Sequence, residues 1–357
     1  MKPAKPPAPP DPPSDMAAQA SPGAGFPNPE LTAALRAALQ AAGAPARLAV
    51  ATSGGADSAM LAAHAASLAR EQGAELALFH VHHGLQAAAD GWADQVLALG
   101  RILGVPVHTA RAQVPADSGL GIEAAARDAR YAALAMLARQ HGVGHVLLAH
   151  HQGDQAETVL LRLLRGTGLQ GMAAMAPRMP RDGVTYLRPW LDQGRAGILR
   201  AAQAFAGQHG WRAVQDPTNA DPRYTRAAVR ELLAPVLDAR WPGWQGRLAS
   251  HARHMAEAAG ILDEVARADL AALQPSADQR SFALAPWRAL SPARQAQVLR
   301  HWLHIHGAAM PTEARLADLL RQLRQLHSLG HDRQMCVAHA RHRVRCHRGR
   351  VWIEPRE

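Results

Sequence analysis

From Arg47 onward, short apolar runs alternate with longer stretches whose apolar residues recur every three or four positions. The runs Leu48–Thr52, Leu76–His82, Val105–Ala110 and His145–Ala149 have the length and composition of buried strands. Between them, Asp57–Gln72, Ala89–Leu103 and Ile122–Gln140 carry helical spacing. This rhythm predicts βαβ units and an α/β fold with a doubly wound, mostly parallel sheet. Such sheets bind ligands beyond the carboxyl ends of their strands. A further helix is predicted over Asp154–Leu164, stopped by Gly166-Thr167-Gly168. A strand at Val184–Leu187, a helix around Gly197–Gln208 and a turn at Asp216-Pro217-Thr218-Asn219 follow. After Trp241-Pro242-Gly243-Trp244 the strand pattern stops. Arg247–Ala272, Pro292–His306 and Glu313–His327 have helical spacing, and short basic strands run from there to the end. The expected division is a disordered Pro/Ala-rich tail over 1–28, an α/β domain over 29–243, a helical domain over 244–330 and a short basic β segment over 331–357.

Composition sharpens this outline. The first 28 residues lack the apolar mass to offset their ordering entropy, and they lack the continuous apolar core of a secretory signal. Met16 offers an alternative start. No apolar run reaches the roughly 18 residues of a membrane span. The only cysteines, Cys336 and Cys346, lie near the C-terminus, which argues against a disulfide framework and fits a cytoplasmic protein. The net charge is +10, and Lys2 and Lys5 are the only lysines among 39 basic residues. An Arg-rich composition explains the charge, and so does a polyanionic partner such as nucleic acid. With no lysine in the folded part, any bound anion must be held by Arg, backbone N–H groups, hydroxyls or a metal.

The chemistry begins at Ser53-Gly54-Gly55-Ala56-Asp57-Ser58, where the first strand gives way to a helix. A helix start presents unpaired N–H groups and partial positive charge, so anions bind there. The glycines permit unusual backbone angles and close approach. Asp57 would repel a phosphate unless a divalent cation lies between, which suggests Mg2+. The spacing is neither a Walker loop nor a dinucleotide fingerprint. A glycine-rich turn capped by Asp57 and Ser58 is the plainer alternative.

Ser53–Ser58 resembles the pyrophosphate loop of the N-type ATP pyrophosphatases, which split ATP into AMP and pyrophosphate while adenylating a carbonyl-type oxygen. Three further blocks narrow the resemblance: Phe79-His80-Val81-His82-His83-Gly84-Leu85, Gly121-Ile122-Glu123 through Arg127 to Tyr131, and Ala149-His150-His151-Gln152-Gly153-Asp154-Gln155-Ala156-Glu157-Thr158 through Arg165 to Gly168. Together they resemble the tRNA(Ile)-lysidine synthetases. Leu187-Arg188-Pro189-Trp190 and the stretch from Arg226 to Arg230 extend the similarity. The resemblance implies a catalytic domain over 29–243 and a tRNA-binding helical domain after it. It also implies ATP and Mg2+ as substrate and cofactor, with free L-lysine and a CAU-anticodon tRNA(Ile) as partners. Lysine would be ligated to carbon 2 of the wobble cytidine through an adenylate. The oligomeric state is left open.

Within that frame, Ser53, Gly54, Gly55, Ala56, Asp57 and Ser58 would hold pyrophosphate, and Asp57 the metal. Arg127 and Arg130 share a helix face and suit an adenylate clamp, with Arg127 the first choice; a face salt-bridged through Glu123 is the alternative. Asp154 and Glu157 lie one turn apart at a helix start, where they could handle an amine or metal, or merely complement the helix dipole. His80, His83, His150, His151, Arg165, Arg226 and Arg230 are candidate nucleotide or tRNA contacts. Strand alternation sends His82 and His83 to opposite faces, which disfavours a zinc site. Of Trp190, Trp211, Trp241 and Trp244, each suits core packing better than base stacking. The chain departs from the family pattern at His82, Gln86, Gly153, Ala227 and Ala228, and a second C-terminal domain is expected to be reduced or absent. The nearest rival, a tRNA cytidine thiolase, needs cysteines near the catalytic domain, and none precedes Cys336. A non-catalytic basic RNA-binding protein is the rival of another class.

Overall fold

The computed structural model describes residues 25–82, 89–113, 122–215, 221–326 and 334–356. They group into two compact units, one of 25–161 with 175–249 and one of 162–174 with 250–356.

In the first unit, Asn28 caps helix α1 (Pro29–Ala41) by accepting from the N–H groups of Glu30 and Leu31, with Pro29 in the first turn where its missing N–H costs nothing. The expected tail boundary is therefore corrected: Phe26 already packs edge-on against His64 and Phe205. Strand β1 (Arg47–Ala51) leads into α2 (Ala56–Gln72), β2 (Glu75–His82), α3 (Ala89–Leu103), β3 (Val107–Arg111), α4 (Ile122–Gln140) and β4 (His145–Leu147). Next come α5 (Gln152–Leu164), the short α6 (Leu169–Met172), β5 (Arg178–Arg181), β6 (Val184–Leu187) and α7 (Arg195–His209). The six strands lie in the order β3-β2-β1-β4-β6-β5, all parallel except β5, which runs antiparallel to β6 at the edge. The strand order reverses direction between β1 and β4, the place where an open sheet leaves a crevice.

Both faces are covered. Leu48, Val50 and Leu78 pack against α1, α2, α3 and α7, and Ala49, Phe79 and Val146 pack against α4. Six of the eleven buried residues of α2 are alanines, which lets the helix lie close on the sheet. Gly73 ends it in the left-handed conformation. Beyond α7, α8 (Thr225–Ala228), a π-helical turn (Val229–Leu233) and α9 (Ala234–Arg240) form a nearly continuous helix. Two expected strands shift or shorten: β3 starts two residues later and β4 ends before Leu148.

The second unit includes most of α10 (Trp244–Ala272), then β7 (Ser281–Ala283), α11 (Leu284–Ala289), α12 (Pro292–Ile305), α13 (Glu313–Gln325), β8 (Met335–His339), β9 (His342–His347) and β10 (Arg350–Pro355). Its antiparallel sheet runs β7-β10-β9-β8. The expected separation into a helical domain and a basic β segment is corrected by this pairing. Met335, Val337, Val344, Cys346, Val351 and Ile353 alternate inward into one core with Trp287, Val298, Trp302 and Leu319. Arg343, Arg345 and His347 occupy the intervening positions of β9, so the basic residues are the solvent face of a half-buried sheet. The division also falls later than Trp241–Gln245, inside α10, and takes residues 162–174 with it. Among the described residues, no helix is long and apolar enough to cross a membrane.

Candidate active site

The loop after β1 is held open from within. The Ser53 N–H donates to the Ser58 Oγ at 3.1 Å, the two hydroxyls lie 3.2 Å apart, and the Ser58 hydroxyl donates to the Gly55 carbonyl at 3.1 Å. Gly54 has a φ of +90°, and a Cβ there would meet Val214 Cγ2 at 3.0 Å. Glycine is thus required twice over, by backbone angle and by the approach of Val214, whose N–H donates to the Gly54 carbonyl. Gly55 then leads into α2, placing Asp57 and Ser58 in its first turn.

A cavity of about 200 Å³ opens beside this loop. Its polar wall is Ser53, Asp57, Ser58, Arg130 and His150, and its apolar wall includes Phe79, Val81, Leu134 and Leu148. The cavity lies at the carboxyl ends of β1, β2 and β4, at the strand-order reversal. Arg130, and not the first-choice Arg127, lines it. Arg127 instead donates to the Tyr131 hydroxyl at 3.3 Å and lies over its ring. Burial pulls the Arg130 guanidinium below its usual range, Tyr131 opposes this, and Arg127 and Arg226 add to it. Arg188 completes the cluster: it is buried, donates to the Ala176 carbonyl at 2.7 Å and reaches the Tyr131 hydroxyl at 3.4 Å. Four guanidiniums gather on this one phenol, because Arg181 also lies over the ring, 4.6 Å from its centroid, while paired with Asp128 and Asp182. Arg127 and Arg188 thus add positive charge behind Arg130, the arginine that lines the cavity and attracts an anion there.

Asp57 faces Arg195, whose Nη2 is 3.4 Å away, and stands 4.0 Å from the His151 Nε2. Asp154 lies 3.3 Å from Arg230 Nη2. Burial raises the Asp154 carboxyl, but the imidazoles, the His151 N–H and Arg226 outweigh it and hold the group below its ordinary value. Glu157 is buried and gripped by Arg230 through two bonds, 2.6 Å from Nε and 2.9 Å from Nη2. Arg226 donates to Thr158 Oγ1 at 3.3 Å. Both arginines come from the helix that contains the π-helical turn, and such turns widen a helix locally to re-aim side chains. Glu157, assigned from sequence to the amine or metal, is therefore already committed to Arg230.

The remaining candidates divide. His150 lines the cavity. His151 is buried at the start of α5. His80 is buried with Nδ1 on the Thr52 carbonyl at 2.9 Å, so it braces the residue before the loop and does not line the cavity. Arg165 lies in the stretch that groups with the second unit, and His83 lies outside the described residues. Trp190, Trp211 and Trp244 are buried and Trp241 is half-exposed. Sequence reasoning missed Arg195, Arg188 as a site residue, and Tyr131. Arg195 is 138 positions from Asp57 with no local pattern to mark it, whereas Arg188 stood in a block already noticed at a strand end.

Burial pushes the His150 imidazole down to about 3, with Asp154 opposing and Arg188, Arg130 and Arg127 reinforcing. The group is therefore neutral at physiological pH. Its folded value lies below its unfolded one, so between about 6.5 and 3 the unfolded chain binds the extra proton. Stability is then lost as pH falls through that window, with a limiting slope of about 1.4 kcal/mol per pH unit. Denaturant unfolding of His150→Gln is expected to show a shallower pH dependence between 6 and 4.5 than the parent. An unchanged dependence would contradict this.

Residues 28–237 match the PP-loop domain family and residues 282–352 the TilS substrate binding domain family. The chain is 71% identical over 311 residues to a tRNA(Ile)-lysidine synthase of Bordetella bronchiseptica, covering 87% of this chain and 90% of that one. It is 70% identical over 324 residues to that of Bordetella pertussis, covering 91% of this chain and 100% of the relative. Among solved structures, a U34-tRNA thiolase, NcsA from Methanococcus maripaludis with its 4Fe-4S cluster, superposes with a TM-score of 0.54 at 13% identity. That match covers 64% of this chain and 78% of the thiolase, and is a likeness of fold.

Proposed function

The chain belongs to the tRNA(Ile)-lysidine synthase family, and on that premise we propose how its first unit makes lysidine. It is a tRNA-modifying ligase that binds ATP through its PP-loop domain and acts on tRNA(Ile). The carbonyl oxygen on carbon 2 of the wobble cytidine of a CAU anticodon attacks the α-phosphorus of ATP, and pyrophosphate leaves. The ε-amine of free lysine then attacks carbon 2, the carbon–oxygen bond breaks, and AMP leaves.

The observation that carries this reading is the cavity at the strand-order reversal, which joins the Ser53–Ser58 loop to Arg130 and His150 in one wall. The loop N–H groups and the Ser53 hydroxyl receive pyrophosphate, while Ser58, whose hydroxyl donates to the Gly55 carbonyl, shapes the loop. Arg130, backed by Arg127 and Arg188, stabilises the charge that builds on the α-phosphate. Asp154 takes the proton of the incoming amine. Glu157, paired with Arg230, fixes the helix start that presents Asp154. His150, being neutral, orients the nucleotide by hydrogen bonding.

A magnesium ion suits the donor set: Asp57 offers one carboxylate beside the phosphate loop, and this ion takes most of its octahedron from phosphates and water. Among the described residues, no group of three His, Cys, Asp or Glu side chains is placed to hold an ion alone, so the phosphates would complete the site. When bound, it would neutralise charge on the departing pyrophosphate.

The test is product analysis with ATP, Mg2+ and a CAU-anticodon transcript. AMP and pyrophosphate are expected, with pyrophosphate release absent when the wobble position carries U. Release of ADP and phosphate, or AMP formation indifferent to the tRNA, would sink the reading.

A further inference from the structure

His151 immediately precedes α5, and its contacts take the form of a helix cap. Its Nδ1 lies 3.0 Å from the Gly153 N–H nitrogen and 3.4 Å from that of Asp154, both donors to it. In return the Asp154 carboxylate accepts from the His151 N–H at 3.1 Å. This reciprocal pair is a capping box in which an imidazole stands where serine or threonine is usual. Because Nδ1 must accept, the neutral ring carries its proton on Nε2. That Nε2–H stands 3.6 Å from Asp154 Oδ2 and 4.0 Å from Asp57 Oδ1. The side chain is only 5% exposed, so it cannot swing away into solvent. Gly153 makes the arrangement feasible: a Cβ there would lie 2.9 Å from the ring Cε1 and 3.1 Å from Nδ1.

We propose that His151 is a positioning residue that sets the Asp57 carboxylate of the phosphate loop against Asp154 of α5, and that residue 153 is glycine to leave room for its ring. The proposal rests on the function given above. The Asp57 carboxylate, which lines the cavity, and the Asp154 carboxylate, which meets the same edge of the His151 ring, repel each other, and each needs a positive edge to hold its orientation. Arg195 supports Asp57 from one side and Arg230 supports Asp154 from another. The His151 N–H edge faces both from between, and at these distances it acts as an oriented dipole, not as a direct hydrogen bond. The cap locks the dipole's direction, so the fold of α5 and the spacing of the two reactive carboxylates are set by one side chain.

Capping alone and positioning are separable. Asparagine is a strong N-cap, with an oxygen that reaches the same N–H groups but a side chain too short to approach Asp57. His151→Asn is therefore expected to keep its Tm within about 2 °C of the parent, whereas His151→Ala falls further. In AMP formation with tRNA and ATP, His151→Asn is expected to lose roughly 10- to 100-fold in kcat, with the KM for ATP changed by less than about twofold. Gly153→Ala should lose kcat comparably by displacing the ring, and should cost nothing further in the His151→Asn background. A His151→Asn enzyme with the parent kcat, or equal losses from Gly153→Ala in both backgrounds, overturns the proposal alone. A parent protein that forms no AMP overturns the functional reading and the proposal with it.

Discussion

Asp57→Asn is expected to lower AMP formation by roughly 10²- to 10³-fold, the scale of losing one preorganised charge interaction in a transition state. Binding of tRNA should be unchanged. The geometry makes the variant informative because Asp57 opens α2 inside a loop otherwise built to attract anions. Without a metal, its carboxylate opposes ATP; with one, it helps to anchor the phosphates. The amide removes both effects. ATP affinity measured in EDTA should therefore rise, while turnover in Mg2+ collapses. The loss of the Arg195 contact contributes little, since that arginine is half-exposed and 3.4 Å away. Equal turnover in parent and variant would remove Asp57 from the chemistry.

Arg230→Met carries the largest expected effect on stability. It leaves the Glu157 carboxylate, whose side chain is 8% exposed, without its two-bond partner. Breaking a buried pair from one side typically costs about 3–5 kcal/mol, because the remaining charge stays desolvated. Adding Glu157→Leu should restore most of that loss, since an apolar pair of similar volume replaces the ion pair. It should not restore AMP formation if the pair serves to present Asp154. Denaturant midpoints for the two single variants and the double variant check the first half, and turnover checks the second. Simple additivity of the two losses would contradict the account.

What could be read from the chain was whatever repeats or is local. The strand–helix rhythm, the Ser53–Ser58 loop and the Asp154/Glu157 helix start each lie within a few consecutive residues. Pairings across long separations could not be read that way. Arg230 reaches Glu157, Arg195 reaches Asp57, and Arg188 meets Tyr131 only once the sheet has closed. Some local elements were hidden by composition. Helix α1 follows directly on a Pro/Ala-rich tail, though Asn28-Pro29-Glu30 carried its start signal. Strand β5 is Arg-Met-Pro-Arg, an edge strand whose charges and proline mask it. Strand β7 is three residues long and shows itself only through its partner, β10. The basic run before the C-terminus suggested a separate charged segment because its arginines outweigh the alternating Val344, Cys346, Val351 and Ile353. Those four residues tie it to the helices instead.

If one cavity performs both chemical steps on a single tRNA, the products of the two steps must appear together on the same molecule. The purified protein is incubated with ATP, Mg2+, radiolabelled lysine and CAU-anticodon tRNA(Ile), and the tRNA is digested to nucleosides. Label is expected in one modified cytidine, formed together with an equal amount of AMP and absent when any of the four components is withheld. A folded protein that binds this tRNA and forms AMP but leaves the cytidine unlabelled would contradict this expectation.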